Sequence, residues 1–313
     1  MNKNKPTQVE PKNIRATEVG TSAELGMNDK IGTIGILILF LIFVNIQKST
    51  AQDYIGFVYD KESNKPLEYV CIGVINKSNG TIADENGQFH IKIENKFLDD
   101  SIRFSLIGYD SKKMLVKDFV HNALKGNLKI YLVKKSYNLK EVDIRPKIYK
   151  QKVIGNSSST LNIFSCLNDT AGTGIRIGCE YGTLMKIPKS PCFIDDIKIK
   201  ITECSFDSVL FRLNIYSIDD NSNIENILRW PIYVYFTSTN DIEYKTIDLK
   251  EYGLETSTNF IATLEFIKIK GKGTICFGYN FFGSIGYNRV NGQDDWIKSE
   301  NNISISSTVT YEK

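Results

Sequence analysis

The sequence predicts an all-β protein made of two sandwiches, and three observations support this class. Short segments of alternating apolar and polar residues recur along most of the chain, and turn residues such as Asn79-Gly80 separate them. The alternating segments become longer beyond a polar, turn-rich stretch around residues 145–158. Only residues 116–124 show a helical pattern, which is weak. We therefore expect a smaller β-sandwich followed by a larger, jelly-roll-like one.

Length and charge agree with two globular domains and exclude several functions. The chain has 313 residues, which at about 150 residues per domain favours two domains. The 39 basic and 36 acidic residues nearly balance, so no excess of positive charge is available for a nucleic-acid partner. The two histidines leave little room for a histidine-rich metal site. We expect no metal, no cofactor and no nucleic acid.

The first 51 residues have the character of a leader. Residues 31–46 form the only long apolar run, with Lys30 before it, and Ser49 and Ala51 at positions −3 and −1 of a cleavage site. This pattern predicts a signal peptide over residues 27–51, translation starting at Met27, and cleavage after Ala51. The alternative is that residues 31–46 stay as a membrane anchor, although a spanning helix needs about 20 apolar residues.

If the leader is functional, the protein is exported to the periplasm, the outer membrane or the cell surface. Membrane contact would then occur only through an uncleaved leader. In the alternative, the chain remains anchored by residues 31–46.

The elements of the first sandwich follow from alternation and turns over residues 53–135. A turn with Pro66 follows the first strand, and Asn86-Gly87 closes a later hairpin, since both residues tolerate positive φ. The predicted strands are 55–59, 69–75, 88–93, 101–107 and 128–133.

Residues 136–157 are interpreted as a linker, and residues 158–313 as the second sandwich. Residues 209–216 form the strongest predicted strand, with apolar residues at every second position from 209 to 215. The predicted strands of this domain are 194–201, 209–216, 232–236, 244–249, 260–269, 274–279 and 304–311.

The first predicted sandwich resembles the carboxypeptidase-regulatory-like domain, a transthyretin-type β-sandwich. The resemblance rests on Gly56-Phe57-Val58, on the runs 66–70 and 80–89, and on 104–109. Such domains often precede TonB-dependent receptors and are then followed by a Leu-x-Glu-Val element, like residues 139–142 here. The rest of the chain is too short for a plug and a large barrel. The resemblance therefore implies a spacer or docking unit rather than a receptor.

The sequence offers little support for catalysis. A zinc peptidase needs a His-x-x-Glu pair, and neither His90 nor His121 begins one. The carboxylates Asp195-Asp196 and Glu265 could do acid–base work on a glycoside, but any sandwich of this size contains such residues. A hydrolase is the least favoured function.

The six cysteines leave two alternatives open. Export permits disulfides, so one or two bridges could form within the second domain. Cys71, Cys192 and Cys276 have apolar neighbours and are interpreted as small core residues, which favours no bridge.

One group of residues near the C-terminus is typical of a ligand site. Aromatic faces stack on sugar rings, and polar side chains bond the hydroxyl groups. The candidate ligand-binding residues are Tyr279, Tyr287, Arg289, Asp295 and Trp296. The alternative is that these aromatic side chains fill one end of the core.

The sequence as a whole predicts a non-catalytic binding or assembly module of the cell envelope. Its expected partner is an envelope or outer-membrane protein. In the alternative function, a glycan binds the aromatic loop around residues 279–296.

Overall fold

A computed structural model describes residues 51–126, 128–137, 148–157, 164–168, 176–278, 285–300 and 302–313. These residues belong to one compact unit, Thr50–Lys313. The predicted leader, apart from Ala51, lies outside the described residues, as do Tyr279 and the Leu-x-Glu-Val element. In the described part of the chain, no helix combines the length and the apolar character needed to cross a membrane.

The first domain consists of two four-stranded sheets and one α-helix. Its elements are β1 (Ala51–Asp60), β2 (Cys71–Val74), β3 (Gly80–Ile82), β4 (Gln88–Glu94), β5 (Ser101–Ser105), β6 (Tyr109–Asp110), β7 (Lys112–Leu115), α1 (Val116–Leu124) and β8 (Lys129–Lys134), with a 3₁₀ turn at Asn95–Phe97. One sheet has the order β4-β1-β8-β6 and the other β3-β2-β5-β7. Strand β1 is antiparallel to β4 and parallel to β8.

An aromatic cluster fills the core of the first domain. Alternation in β4 and β5 turns Phe89 and Phe104 inward, and α1 adds Phe119; all three are fully buried. The rings of Phe89 and Phe104 meet edge to face with centroids 5.8 Å apart. Burial of each such ring contributes about 1.5–3 kcal/mol, so this cluster is a large part of the domain's stability.

The second domain is built around one unusually long strand. Its strands are β9 (Tyr149–Gly155), β10 (Phe164–Asn168), β11 (Glu180–Met185), β12 (Cys192–Ile194), β13 (Asp196–Ile218), β14 (Ile224–Asn226), β15 (Ile232–Thr239), β16 (Glu243–Asp248), β17 (Glu255–Thr256), β18 (Phe260–Lys270), β19 (Thr274–Gly278), β20 (Gly286–Arg289), β21 (Ile297–Ser299) and β22 (Ile305–Glu312), with a 3₁₀ turn at Lys250–Tyr252. The first part of β13 pairs with β16 and β22, and its later part with β15 and β18.

Irregular pairing explains how one strand, β13, can pair with β16 and β22 along its first part and with β15 and β18 along its later part. Its register against β15 shifts between Cys204 and Ser208, and such a bulge bends a strand. Phe211 then packs edge to face against Phe236 and Phe266, with ring centroids 5.9 and 4.5 Å apart. The strands thereby enclose a large hydrophobic core, beside which Tyr216, Ile261 and Tyr287 form a smaller cluster.

The predicted all-β class is confirmed, with α1 as the one α-helix of the described residues. Several details differ from the sequence-based expectation, and two of them concern the boundaries of the second domain's strands. Segments 194–201 and 209–216 were expected as separate strands, but most of both lies in β13. Strand β9, inside the predicted linker 136–157, pairs with β22. Because β9 lies at the sheet edge with almost every side chain exposed, it carries no alternation that a sequence pattern could reveal.

Among the cysteines whose side chains the structure describes, one is bonded and four are free thiols. Cys71, Cys179, Cys192 and Cys204 are free and buried. Cys276 is disulfide-bonded, so its interpretation as a core thiol is wrong. It is nevertheless 1% exposed, because a bonded cysteine can pack among apolar neighbours as well as a free one.

Candidate functional site

A row of four charged side chains crosses neighbouring strands of the second domain. Arg212 on β13 lies opposite Glu265 on β18. Glu265 lies opposite Glu180 on β11, and Glu180 lies opposite Arg289 on β20. The four positions are therefore in register, with two carboxylates in the centre and a guanidinium group at each end. We call these residues the charged row.

The first ion pair of the row also reaches the first domain. The Nε and Nη2 atoms of Arg212 donate to Oε2 of Glu265 at 2.9 and 2.7 Å. Its Nη1 atom donates to the carbonyl oxygen of Tyr69 at 2.8 Å. Both charged side chains are almost completely buried, at 4% and 2% exposure. A buried pair of this kind must be well bonded, because desolvation of each ion is costly.

The second ion pair is linked to the first through an amide. Nε of Arg289 donates to Oε2 of Glu180 at 2.7 Å, and its Nη2 donates to the hydroxyl of Tyr216 at 2.6 Å. Nδ2 of Asn214 donates to Oε1 of Glu180 at 2.8 Å and to Oε2 of Glu265 at 3.1 Å. One amide thus bridges two neighbouring carboxylates that would otherwise repel each other.

The electrostatics keep both arginines charged. Burial lowers the pKa of Arg212, but the charge of Glu265 raises it, and the net pKa lies above its usual value. Burial and Glu180 act on the pKa of Arg289 in the same opposed way, again with a net rise. Burial also raises the pKa of Tyr216 well above 10.0, so its hydroxyl stays neutral and can donate to Glu180.

The charged row lies at the bottom of a cleft of about 360 Å³ between the two domains. Members of the row that line the cleft are Arg212, Glu265 and Arg289, with Asn214 and Tyr216 beside them. The first domain contributes Arg103, Ser105, Tyr109 and Lys135. The second domain contributes Glu225, Asn226 and Trp296. The volume lies at the lower end of the range for small-molecule sites.

The loop after β20 holds the domains together beside this cleft. The backbone carbonyl of Gln293 accepts from the amide of Asn76 at 2.9 Å, and its Nε2 donates to Oγ of Ser105 at 2.8 Å. Nδ2 of Asn291 donates to the carbonyl oxygen of Lys77 at 3.0 Å. The two side-chain bonds are partly buried, and together the three bonds make the interface a specific contact.

A glycine permits the close approach of this loop to the first domain. A Cβ atom on Gly292 would lie 2.6 Å from Sγ of Cys71, closer than packed atoms tolerate. Cys71 is 3% exposed, and burial, followed by the charge of Glu265, raises the pKa of its thiol. The thiol is thus held neutral at the interface, where Nε2 of Gln293 lies 3.3 Å away.

Comparison with known families agrees with the first sandwich. Residues 54–144 match the family model described as CarboxypepD_reg-like domain. We refer to the first domain as the CarboxypepD_reg-like domain after this match. This confirms the resemblance drawn from the sequence, and the family itself is non-catalytic. The match covers less than half of the chain and leaves the second domain unassigned.

Similar solved structures come from the capsids of a virus, at very low scores. The structure of infectious bursal disease virus Gx strain has 11% identity and a TM-score of 0.25, with 85% of this chain and 63% of that chain covered. For the Gt strain, the identity is 11%, the TM-score 0.23, and the coverage 84% and 56%. The chain thus spans less than two thirds of these structures, and scores this low carry no argument. No match was found among curated proteins.

The structure brings three of the predicted ligand-binding residues together beside the CarboxypepD_reg-like domain. The guanidinium of Arg289 lies 4.1 Å from the ring centroid of Trp296, and the ring of Tyr287 meets the same indole edge to face at 6.2 Å. Tyr287 is 5% exposed, so its ring face is not open to a ligand. Trp296 is half-buried and lines the cleft, whereas Asp295 is exposed and outside the cleft lining. Tyr279 lies outside the described residues.

Sequence reasoning missed most of the site. Arg212, Asn214 and Tyr216 occupy the polar positions of an alternating strand, a pattern that normally indicates a face in contact with water. Arg212 also contacts Tyr69 of the CarboxypepD_reg-like domain, and no local pattern encodes a contact between domains. The sequence offered one signal. Arginine, asparagine and tyrosine at every second position of a strand lie on one face and can form a row of hydrogen bonds. Glu265 was recognised as a carboxylate of interest, but without its partners.

The charged groups of the site are already bonded to one another. Each carboxylate of the row is paired with an arginine. In the described residues, no group of three or more His, Cys, Asp or Glu is placed to hold a metal ion. What the cleft presents is a rigid set of donors and acceptors, with an indole ring on one wall.

Proposed function

We propose that the protein is a non-catalytic binding or assembly module of the cell envelope. In this function the CarboxypepD_reg-like domain is a docking unit that is fixed to the second domain. The observation that carries the proposal is the buried bond from Nη1 of Arg212 to the carbonyl of Tyr69, which ties the charged row to the other domain. A spacer on a loose tether would have no need of a buried charged contact.

The binding surface is the part of the molecule to which both domains contribute. Gln293 and Asn291 hold the loop beside the cleft against the first domain. A partner that contacts both walls would therefore meet a preformed surface, which lowers the entropy lost on binding. The proposed partner is an envelope or outer-membrane protein, met in the periplasm, the outer membrane or at the cell surface after export.

Cross-linking in intact envelopes tests this function. A tag at Lys313 would recover the protein, and mass spectrometry would identify both its N-terminal peptide and its partners. We expect an N-terminus at Gln52 and a recurrent membrane or surface protein that is lost when Gln293→Ala loosens the interface. A peptide from residues 28–48 would instead indicate a retained anchor. A bait without any recurrent partner would contradict the assembly function.

A second candidate function, glycan binding, is favoured by the position of Trp296. Its half-buried ring lines the same cleft as Asn214 and Asn226, which pairs an aromatic surface with amide groups. We expect Trp296→Ala to abolish binding of a sugar that the parent binds, because the stacking surface is lost. Trp230→Ala is the matched control, since Trp230 is exposed and is not part of the cleft lining. Equal binding by the parent and both variants would reject this site.

A further inference from the structure

Two cations line the cleft without a carboxylate partner among the described residues. Arg103 donates through Nε to the neutral Oε1 of Gln293. Lys135 lies with its Nζ atom 5.6 Å from the ring centroid of Tyr137, a cation–π contact. In contrast, Arg212 and Arg289 of the charged row are each paired with a glutamate. The cleft therefore contains positive charge that the described part of the protein does not neutralise.

The surroundings of Arg103 increase its need for an anion. Its side chain is only partly exposed, and burial lowers the pKa of the guanidinium, as does the positive charge of nearby Arg289. Both effects make the charged form of Arg103 less favourable than it would be in water. An anion bound in the cleft would offset both, and a carboxylate matches the planar guanidinium in shape.

The floor of the cleft offers an acceptor that is also unused. Glu265 is 2% exposed, and its Oε1 atom has no hydrogen-bond partner in the described part of the chain. A buried carboxylate oxygen without a partner is costly, so a donor is expected there when the cleft is occupied. A ligand hydroxyl can supply it, directly or through one bridging water.

The overall charge of the cleft decides which donor fits. The lining includes the cations Arg103, Lys135, Arg212 and Arg289 and the carboxylates Glu225 and Glu265. This excess of positive charge opposes an ammonium donor and favours a neutral hydroxyl. The two glutamates oppose a doubly charged anion, such as a phosphate, and favour a single carboxylate.

We propose that the cleft between the domains binds an acidic sugar of the uronic acid type. The sugar carboxylate pairs with Arg103 and Lys135, a hydroxyl serves Glu265, and the ring lies against Trp296. This inference rests on the glycan-binding function and adds the chemical class of the ligand. It also makes both domains necessary for the site, since Arg103 and Lys135 belong to the first domain and Trp296 to the second.

Calorimetric titration of the full chain tests the inference with matched pairs of sugars. The probes are glucuronic and galacturonic acid, with glucose and galactose as their neutral counterparts. We expect the acids to bind about tenfold more tightly, a difference of about 1.4 kcal/mol, because their carboxylate forms charge-assisted hydrogen bonds that the neutral sugars lack. Raising the salt concentration should reduce this preference.

Substitutions at two adjacent lysines separate the site from general charge effects. Lys135→Gln should remove most of the preference for the acids and leave the affinity for neutral sugars unchanged. Lys134→Gln removes the same charge one residue away, outside the cleft lining, and should change neither affinity. Arg103→Gln should act like Lys135→Gln, but it also loses the contact with Gln293, so the lysine pair carries the test.

The possible results distinguish failure of the inference from failure of the function. Equal affinity for acidic and neutral sugars would overturn the acidic ligand but leave glycan binding in place. Absence of binding by any of the four sugars would overturn both. Binding of a free amino acid as tight as that of the uronic acids would overturn the sugar class, because the charge argument excludes an ammonium group.

Discussion

At the scale of single residues, Asp60 shows how a turn fixes a charge. Its Oδ1 atom accepts from the backbone amides of Ser63 and Glu62 at 2.7 and 2.9 Å, and its Oδ2 accepts from the hydroxyl of Tyr109 at 2.9 Å. The bond from the Ser63 amide is the main cause that lowers the pKa of Asp60 from 3.8 to about 2, although burial opposes it. The carboxylate thus joins the turn after β1 to the start of β6.

This depressed pKa predicts a loss of stability in acid. Since the folded-state pKa of Asp60 lies below its unfolded value, its contribution is complete above pH 3.8 and disappears as the pH falls towards 2. We expect Asp60→Asn to flatten the pH dependence of the free energy of unfolding in this window. Urea unfolding at several pH values would measure it, with Asp53→Asn, an exposed position, as the control. An unchanged slope in Asp60→Asn would contradict the prediction.

The ion pairs of the charged row could not be predicted from the residues taken one at a time. Arg212 occupies a polar position of an alternating strand and Glu265 interrupts an apolar run, and the sequence does not show that they face each other. Their pairing depends on strand register, which is set by the whole sheet. Trp296 was a candidate because it follows a stretch rich in aromatic and polar residues, whereas nothing around Arg103 in the sequence marks it as a candidate.

At the scale of elements, the predictable strands are those with one buried face. Strands β4 and β18 were visible because apolar residues recur at every second position or as a buried run. Strand β11 was not predicted, since its sequence Glu-Tyr-Gly-Thr-Leu-Met mixes a charge, a glycine and apolar residues. Its position is determined by partners on both sides, β18 and β20. The edge strand β9 was not predicted because its side chains are mostly exposed, so its sequence shows no buried face.

The glycine in β11 predicts how tightly this element is packed. A Cβ atom on Gly182 would lie 2.3 Å from the carbonyl oxygen of Ala262 and 2.4 Å from Cγ2 of Thr263. Gly182→Ala must therefore push β11 away from β18, and we expect it to lower the free energy of unfolding by about 1–3 kcal/mol. Thr246→Ala, at an exposed strand position, should cost less than about 0.5 kcal/mol. Urea denaturation compares the two, and an equal, small effect would show that β11 can move without cost.

At the scale of the whole molecule, the property that the sequence conceals is the contact between the domains. Each domain has its own hydrophobic core, and the cores follow from patterns in the chain. The contact combines polar side chains such as Gln293 with an apolar cluster of Tyr69, Ile82 and Ile267, and no pattern in the sequence marks these residues as an interface. Gln293 is 2% exposed because two folded domains enclose it, and this condition exists only after both have formed.

The interface itself predicts that the two domains unfold together. Gln293→Ala leaves Ser105 and Arg103 without their partner, which costs about 1–3 kcal/mol for buried polar groups. Both tryptophans, Trp230 and Trp296, lie in the second domain, so their fluorescence follows that domain, whereas circular dichroism follows both.

In the parent, we expect the fluorescence and circular dichroism transitions in urea to coincide. In Gln293→Ala, the dichroism change should begin at a lower urea concentration than the fluorescence change, because the first domain loses its support. Lys268→Met removes an exposed ion pair with Glu85 that crosses the same boundary, and it should leave the transitions coincident. Coincident transitions at the parent midpoint in Gln293→Ala would mean that the buried bonds do not couple the domains. In that case, the two domains that line the cleft would be held together only when a ligand is bound.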